Sequence, residues 1–304
     1  MRLRDLSEEE ARVIESKGTE PPRSGEYDQF DKEGVFTCRR CGAYLYKSGD
    51  KFESRCGWPS FDAEILGAVE RILDPDGRRT EIICRRCQGH LGHVFVGEQL
   101  TVKNTRHCVN SVSLLFVPKK SRREHGDEEY ERAYFGTGCF WCSEASFRML
   151  RGVISVTPGY AGGSTGNPTY ETVSTGTTGH AEVVRVEFDP RRISYEALLD
   201  MFFLSHDPTT PDRQGNDVGT QYRSIVLYEQ DIHREIAEAA IQRLAKDHVF
   251  GAAIVTEVKA LERFYEAEEY HHRYFEKNPA EGYCRAVVAP KLSHLASSLA
   301  SYMK

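Results

Sequence analysis

The chain has 304 residues, a length that predicts two domains, each large enough to bury a core of its own. Its 39% hydrophobic and 28% charged residues exclude a disordered chain, and its net charge of −6 argues against nucleic-acid binding. The sequence contains neither an apolar run of about 18 residues nor the apolar core of a secretory signal. We therefore expect a soluble, cytoplasmic protein with no membrane or nucleic-acid partner.

The N-terminal half is predicted to be mainly β, with antiparallel sheets. Ser7 and Glu10 have the spacing of a capping box, which predicts a short helix over 8–17. Residues 19–34 are rich in proline, glycine and aspartate and indicate a loop. From 35 to 117, short apolar segments alternate with turn residues, which is typical of a β-rich domain.

The segment 119–131 is predicted to be a linker. Its basic run is followed by an acidic run, and it has no apolar periodicity. We therefore place one domain over 1–118 and a second over 132–304.

The C-terminal half interleaves strands with helices, which predicts an α/β (α+β) two-layer sandwich. A strand ending near Phe135 leads through a glycine-rich turn to a helix from about Cys139 to Leu150. Further elements are predicted as strands over 153–157, 182–188, 224–228 and 253–258, and as helices over 194–204, 231–247 and 262–276.

Cysteine usage is the most informative part of the composition. The count of nine is odd and does not fit the disulfide framework of a small secreted domain. Two CxxC pairs, Cys38 with Cys41 and Cys84 with Cys87, suit a tetrahedral Zn²⁺ held by four thiolates. We therefore expect one structural zinc per chain, which clips two loops of the N-terminal domain together. The alternative is two unrelated reduced pairs.

Cys108 is the first candidate nucleophile. It lies in a strand-like run in which a period of two places Arg106, Cys108 and Asn110 on one face. The guanidinium beside the thiol favours the thiolate. His90 and His93 can supply protons near neutral pH, whereas metal ligation is disfavoured for them because four cysteines already complete a shell.

Cys139 is the second candidate nucleophile, because the partial positive charge at a helix start stabilises a thiolate. Phe140 and Trp141 follow it and either belong to the core or wall an apolar pocket. Cys142 lies on the same side of the helix as Cys139. Taken alone, this CxxC suggests a thioredoxin-type redox site.

Glu182 is a candidate acid. A strand from 182 to 188 places its carboxyl on the face shared by Val184 and Val186, where desolvation raises the pKa enough for acid catalysis at neutral pH. The alternative is that the strand has not begun at 182.

Longer motifs show a resemblance to two reductase families. Over residues 5–118 the chain resembles the B-type methionine sulfoxide reductases, through both cysteine pairs and the segments RCGWPSF (55–61), GHLGHVF (89–95) and RHCVNS (106–111). Over 132–290 it resembles the A-type enzymes, through GCFW (138–141), GYAGG (159–163), NPTY (167–170), GHAE (179–182) and GNDVGTQYRS (215–224).

The resemblance implies a B-type domain fused N-terminal to an A-type domain in a multifunctional oxidoreductase that repairs oxidative damage. The A-type half would reduce the S epimer of methionine sulfoxide and the B-type half the R epimer, free or in proteins. Two sites are needed because the sulfoxide sulfur is a stereocentre, and a pocket that fixes both its methyl and its oxygen accepts one hand.

In the B-type half, the resemblance makes Cys108 the nucleophile and Cys56 its resolving thiol, with Trp58 against the substrate methyl. The residues that would shape and protonate this site are His90, His93, Arg106 and Asn110. The zinc ligands would be Cys38, Cys41, Cys84 and Cys87. The acid that often follows His-Val-Phe in the family is missing here, and the nearest acid is Glu98.

In the A-type half, the resemblance makes Cys139 the nucleophile, with Phe140 and Trp141 holding the methyl. The side chains expected at the sulfoxide oxygen are Glu182 as proton donor, Tyr170 and Tyr222, with Asp217 supporting them. Cys284 matches a C-terminal resolving cysteine. Because Cys142 occupies a position that is often glycine in the family, either Cys142 resolves Cys139 in place of Cys284 or it relays a redox-active disulfide.

The resemblance also implies thioredoxin or a similar dithiol as reductant and no organic cofactor. Two other classes remain open on the sequence. A general thiol–disulfide oxidoreductase would reduce insulin-type disulfides without consuming sulfoxide. A zinc-dependent interaction module with a regulatory thiol would show no turnover.

Overall fold

The computed structural model describes residues 3–75, 77–119 and 130–304. The chain divides into two compact units, the first formed by Met1–Glu128 with Pro190–Ser194 and the second by Glu129–Asp189 with Tyr195–Lys304. Most of the expected linker, residues 120–129, lies outside the described residues.

The first unit is built from two antiparallel sheets and one short helix. Its elements are α1 Glu8–Ile14, β1 Gly34–Cys38, β2 Tyr44–Lys47, β3 Lys51–Phe52, β4 Ser60–Phe61, β5 Val69–Leu73, β6 Thr80–Cys84, β7 His90–Val96, β8 Thr105–Val109 and β9 Leu114–Pro118. One sheet has the order β2-β1-β9 and the other β3-β4-β8-β7-β6-β5. The predicted β-rich, antiparallel domain is confirmed.

The core of this unit is aromatic. Phe36 and Phe61 are fully buried, with ring centroids 5.1 Å apart, and Tyr46 stacks on Phe61 at 4.4 Å. The capping box of Ser7 and Glu10 is present at the start of α1. The helix ends at Ile14, three residues before the predicted end.

The second unit is a mixed sheet with helices, as predicted. Its elements are β10 Glu131–Thr137, α2 Phe140–Arg148, β11 Val153–Ala161, α3 Tyr170–Ser174, β12 Ala181–Phe188, α4 Tyr195–Leu204, β13 Arg213–Gln214, β14 Asp217–Val218, β15 Ser224–Tyr228, α5 Asp231–Lys246, β16 Glu257–Ala260, β17 Phe264–Glu266, α6 Tyr274–Lys277 and α7 Ala289–Ser298. The six-stranded sheet has the order β16-β15-β10-β12-β11-β17. Only β15 and β16 pair in parallel among the described strands.

Two predicted elements of this unit are wrong. The segment 262–276 is not one helix, because Phe264–Glu266 pairs as β17 with the end of β11 and α-helix begins only at Tyr274, the start of α6. Gly159 permits that pairing, since a Cβ there would lie 2.4 Å from both the Phe264 ring and the Tyr265 carbonyl oxygen. The strand predicted over 253–258 begins only at Glu257 and continues to Ala260.

None of the helices within residues 3–75, 77–119 and 130–304 combines the length and the apolar composition of a membrane-spanning segment.

Candidate active sites

The two CxxC pairs converge in the first unit. The Sγ atoms of Cys38, Cys41, Cys84 and Cys87 all lie within 4.8 Å of one another. Cys38 is 3.6 Å from Cys87, and Cys41 is 3.6 Å from Cys84. Tetrahedral zinc with Zn–S bonds of about 2.3 Å requires S···S distances of about 3.8 Å, so the cluster fits this ion.

The strand order places Cys108 among the expected partners. On β8, Cys108 lies directly opposite His93 of β7 and Ser60 of β4, so the three side chains share one face of the sheet. The Sγ of Cys56 is 3.7 Å from the Sγ of Cys108. Both thiols are partly exposed, so a substrate can reach them.

The negative charge of this site belongs to the two thiols together. The hydrogen bond with Cys56 raises the pKa of Cys108, burial adds to the rise, and the Arg106 guanidinium opposes it. The same hydrogen bond lowers the pKa of Cys56 to about 4. The pair therefore holds one proton between two sulfurs and carries one charge near neutral pH. The sequence predicts that charge on Cys108 alone.

Arg106 is held by Glu98, the nearest acid after the His-Val-Phe motif. Its guanidinium donates to the Glu98 carboxylate at 2.7 and 2.8 Å and lies 4.4 Å from the Phe95 ring centroid. Glu98 therefore orients Arg106 from a position just after β7.

The two histidines differ in environment. His90 is buried, with Nδ1 2.7 Å from the Glu81 carboxylate. Burial lowers the pKa of His90, against the effect of Glu81, which leaves it a weak candidate for proton donation. His93 is partly exposed, with Nε2 3.3 Å from Asp74, and it is the histidine that faces Cys108.

Trp58 and Asn110, both predicted at this site, differ in their exposure to solvent. Trp58 is partly exposed, so its ring is available to a substrate. Asn110 is buried and uses its amide on backbone groups, donating to the Leu91 carbonyl at 3.1 Å and accepting from the Glu20 N–H at 3.1 Å. Asn110 therefore holds the end of β8 in place.

In the second unit, Cys139 is the N-cap of α2 and is partly exposed. Gly138 precedes it with φ of +91°, and a Cβ there would lie 2.6 Å from the Gln214 Cβ, so this turn requires glycine. The Phe140 N–H, one of the free donors at the helix start, donates to the Glu182 carboxylate at 2.9 Å. The turn thus brings the thiol and the carboxyl together.

Cys139 and Cys142 form a second thiol pair. The interaction between the two thiols raises the pKa of Cys139 and lowers that of Cys142 to about 7. Burial and the Glu182 carboxyl also disfavour charge on Cys139. The position of Cys139 at a helix start predicts that this thiol ionises by itself. Instead, the two thiols share one negative charge, and Cys142 carries the larger part of it.

The Glu182 carboxyl is buried and has a raised pKa, as its strand position predicts. It lies on β12, which begins at Ala181, and only 2% of it is exposed. Burial raises its pKa to about 8, while the Phe140 N–H opposes the rise and Asp217 adds to it. The carboxyl therefore carries a proton at neutral pH.

Polar side chains predicted at the sulfoxide oxygen surround this carboxyl. Burial, followed by the charge of Glu182, raises the pKa of both Tyr170 and Tyr222, so both hydroxyls remain protonated donors. Asp217 accepts a hydrogen bond of 2.7 Å from the Tyr283 hydroxyl. Sequence reasoning missed Tyr283, although its position next to Cys284 was a usable signal.

The two aromatic residues after Cys139 face different environments. Phe140 is 1% exposed and packs 5.8 Å from the Tyr160 ring, inside the unit. Trp141 is partly exposed, stacks on Tyr274 at 3.7 Å and donates its indole N–H to His271 Nδ1 at 3.0 Å. Trp141 thus offers the more open apolar wall.

Cys284 is the remaining cysteine of the second unit. It begins a π-helical turn, Cys284–Val288, and is fully buried in a cluster with Cys142 and Val288. Burial raises the pKa of the Cys284 thiol. Cys142 therefore interacts with Cys139 in its ionisation and shares a buried cluster with Cys284.

Comparison with known proteins identifies both halves. Residues 131–302 match the family described as peptide methionine sulfoxide reductase, and residues 6–118 match the SelR domain. The chain belongs to the peptide methionine sulfoxide reductase family.

Curated relatives match the second half. The chain is 56% identical over 162 residues to peptide methionine sulfoxide reductase MsrA of Saccharolobus solfataricus, which covers 53% of this chain and 90% of that protein. It is 52% identical over 174 residues to MsrA of Acinetobacter baumannii (strain AYE), covering 57% of this chain and 99% of the relative.

Solved structures also match. Methionine sulfoxide reductase A of Corynebacterium diphtheriae is 38% identical, with a TM-score of 0.46, over 51% of this chain and 78% of that one. Mxr1 from Saccharomyces cerevisiae in reduced form is 34% identical, with a TM-score of 0.47, over 53% and 92%.

The order of the two matches confirms a B-type reductase domain fused N-terminal to an A-type domain. The reductase therefore has both peptide-methionine sulfoxide reductase activities, for the R epimer in its N-terminal half and the S epimer in its C-terminal half.

Proposed function

We propose that each half of the reductase completes its own thiol cycle, at Cys108 in the B-type half and at Cys139 in the A-type half. One observation carries the proposal: in each half a partly exposed thiol interacts with a second thiol in its ionisation, and a partly exposed tryptophan stands two residues after one thiol of the pair. Substitution of single cysteines, assayed on each purified epimer, tests it.

The chemistry is the same in both halves. The thiolate attacks the sulfoxide sulfur while an acid protonates the oxygen. The hydroxyl then passes from the substrate sulfur to the cysteine sulfur as the bond between the two sulfurs breaks, so methionine leaves and the cysteine becomes a sulfenic acid. A second thiol then attacks the sulfenic sulfur, forms a disulfide and releases water. An external dithiol reduces the disulfide and restores both thiols.

In the B-type half, Cys108 attacks and Cys56 resolves, since their sulfurs are already 3.7 Å apart. The proton that they share passes to Cys56 when Cys108 attacks. His93 donates the proton to the oxygen, because it faces Cys108 and is more exposed than His90. Trp58 contacts the substrate methyl, while His90, Arg106 and Asn110 shape the site.

In the A-type half, Cys139 attacks and Glu182 donates the proton. Trp141 contacts the methyl, with Phe140 behind it, and Tyr170 and Tyr222 hydrogen-bond the oxygen. Asp217 keeps Glu182 protonated, because its charge disfavours a second one nearby.

Resolution in the A-type half proceeds as a relay from Cys139 through Cys142 to Cys284. Cys142 interacts with Cys139 in its ionisation and shares a buried cluster with Cys284, which supports a place for it between the other two thiols in the relay. In the resting enzyme the interaction with Cys139 lowers the pKa of Cys142, whereas burial raises the pKa of Cys284, so Cys142 is the more readily ionised of the two candidate resolving thiols. Cys284 then attacks Cys142 and frees Cys139.

The relay predicts different trapped species in two variants. In Cys142→Ser, a single turnover should leave a sulfenic acid at Cys139, and thioredoxin-supported S-epimer turnover should fall by about a hundredfold or more. In Cys284→Ser, the same turnover should leave a Cys139–Cys142 disulfide. Dimedone labelling and peptide mass spectrometry separate the two species.

Cys56→Ser is the matched control, since it removes a thiol from the other half and should leave S-epimer products unchanged. If sulfenic acid accumulates in Cys284→Ser but not in Cys142→Ser, Cys284 resolves Cys139 directly and the relay is wrong.

We also propose that Cys38, Cys41, Cys84 and Cys87 hold one Zn²⁺ in a structural role. The convergence of the four sulfurs supports this ion over two independent thiol pairs. Cys38 ends β1 and Cys84 ends β6, so the ion would clip the two sheets of the first unit together.

Replacing Cys41 by serine is expected to reduce bound zinc from one ion per chain to none and to lower the free energy of unfolding of the first unit by several kcal/mol. R-epimer reduction should fall with it, and S-epimer reduction should remain. Elemental analysis, thermal unfolding and the two epimer assays measure these effects. Full zinc content in Cys56→Ser would show that the loss is specific to the cluster, whereas a full ion in Cys41→Ser would contradict the assignment.

The remaining assignments concern the reductant, the compartment, the substrates and the limits of the domains. A disulfide that must be reduced in every turnover requires a dithiol partner such as thioredoxin, and a reducing compartment such as the cytoplasm. The substrates are methionine sulfoxide, free or in oxidised proteins. The domains extend over 1–118 and 132–304, joined by 119–131.

A further inference from the structure

The loop over 18–27 carries a buried carboxylate to which the reaction described above assigns no role. Glu20 is 2% exposed. Its carboxylate accepts hydrogen bonds from the backbone N–H groups of Ser111 and of Val112, the latter at 3.3 Å. Both residues follow closely on β8, the strand that carries Cys108.

The backbone of Glu20 makes two further contacts at the same place. Its N–H donates to the Asn110 side-chain oxygen at 3.1 Å, and its carbonyl accepts the Trp58 indole N–H at 3.1 Å. One residue thus joins the end of the nucleophile's strand to the tryptophan beside the thiol pair.

The rest of the loop is held against both segments. The Arg23 N–H donates to the Gly57 carbonyl at 2.7 Å, and the Tyr27 N–H donates to Ser111 Oγ at 3.2 Å. A Cβ on Gly25 would lie only 2.2 Å from Ser111 Oγ, so the loop has no room to shift on this side.

We propose that Glu20 is a positioning residue that fixes the Trp58 indole relative to Cys108 and thereby sets the affinity for the methyl group of the R epimer. The inference rests on the proposed roles of Trp58 and Cys108. Hydrogen bonds from two backbone donors to a buried carboxylate are charge-assisted and directional. A small displacement of the indole would loosen the contact with a group as small as a methyl.

The test is Glu20→Gln, which keeps the shape of the side chain but turns an amide nitrogen toward one of the two backbone donors. KM for the R epimer should rise about tenfold, while kcat changes less than about twofold. In a Trp58→Ala background, the same substitution should cause no further rise, because Glu20 acts through Trp58. Glu26→Gln removes an exposed carboxylate from the same loop and should leave KM unchanged.

Three results separate the alternatives. An unchanged KM in Glu20→Gln overturns the inference. An equal rise with and without Trp58 also overturns it, since Glu20 would then act on the fold alone. An unchanged KM in Trp58→Ala instead refutes the proposed role of Trp58. If Glu20→Gln does not fold, Glu20→Asp, which keeps the charge on a shorter side chain, must raise KM in the same direction.

Discussion

Replacing Cys139 by serine is expected to abolish reduction of the S epimer while reduction of the R epimer continues at the wild-type rate. A serine hydroxyl is scarcely ionised at neutral pH and forms no sulfenic acid, so S-epimer kcat should fall at least about a thousandfold. The other half keeps its own thiol pair at Cys56 and Cys108. Each purified epimer of a blocked methionine sulfoxide, assayed with dithiothreitol, gives the two rates separately.

Cys108→Ser is the mirror control and should abolish R-epimer reduction alone. Joint loss of both activities in either variant would contradict two independent sites. Insulin reduction by the wild-type chain without sulfoxide consumption would favour a general thiol–disulfide oxidoreductase instead.

The two halves reach similar arrangements from different backbone elements. In the first unit, neighbouring antiparallel strands place Cys108 opposite His93. In the second, a glycine turn places Cys139 at a helix start, where the Phe140 N–H binds Glu182. In both units a second thiol alters the pKa of the first, and under the proposed mechanism it takes the proton that the nucleophile loses.

Local patterns in the sequence predicted the features that depend on few residues. The capping box at Ser7, the burial of Glu182 and the convergence of the two CxxC pairs follow from spacing or strand period, and all are confirmed. The identity of the two domains came from long motifs, which no single CxxC could have supplied.

Features that depend on partners distant in sequence were not predictable. Phe264 and its neighbours have a helix-like composition, but the free edge of β11 pairs with them as a strand. The division of charge between Cys139 and Cys142 depends on burial and on Glu182, which is 40 residues further along the chain than Cys142. Glu20 lay in a segment interpreted as a loop, with no signal that its carboxylate is buried.

Replacing Glu182 by glutamine is expected to lower S-epimer kcat about a hundredfold or more and to remove one limb of the pH profile. In the wild-type chain, the thiol pair ionises near pH 7 and activates attack, while Glu182 loses its proton near pH 8. S-epimer activity should therefore rise toward pH 7 and fall about tenfold per pH unit well above 8, because the acid form of Glu182 is the proton donor. Glutamine neither titrates in this range nor donates a proton, so the falling limb disappears while the rising limb remains.

The matched control is Glu171→Gln, which removes an exposed carboxylate on α3 and should reproduce the wild-type profile. Circular dichroism, recorded on the same samples, reports whether the chain remains folded at each pH. A falling limb that persists in Glu182→Gln would assign the proton to another donor, and Tyr222 would then be the next to replace. An unchanged kcat would remove Glu182 from the mechanism, because loss of a group that donates a proton to the oxygen in the transition state must lower the rate.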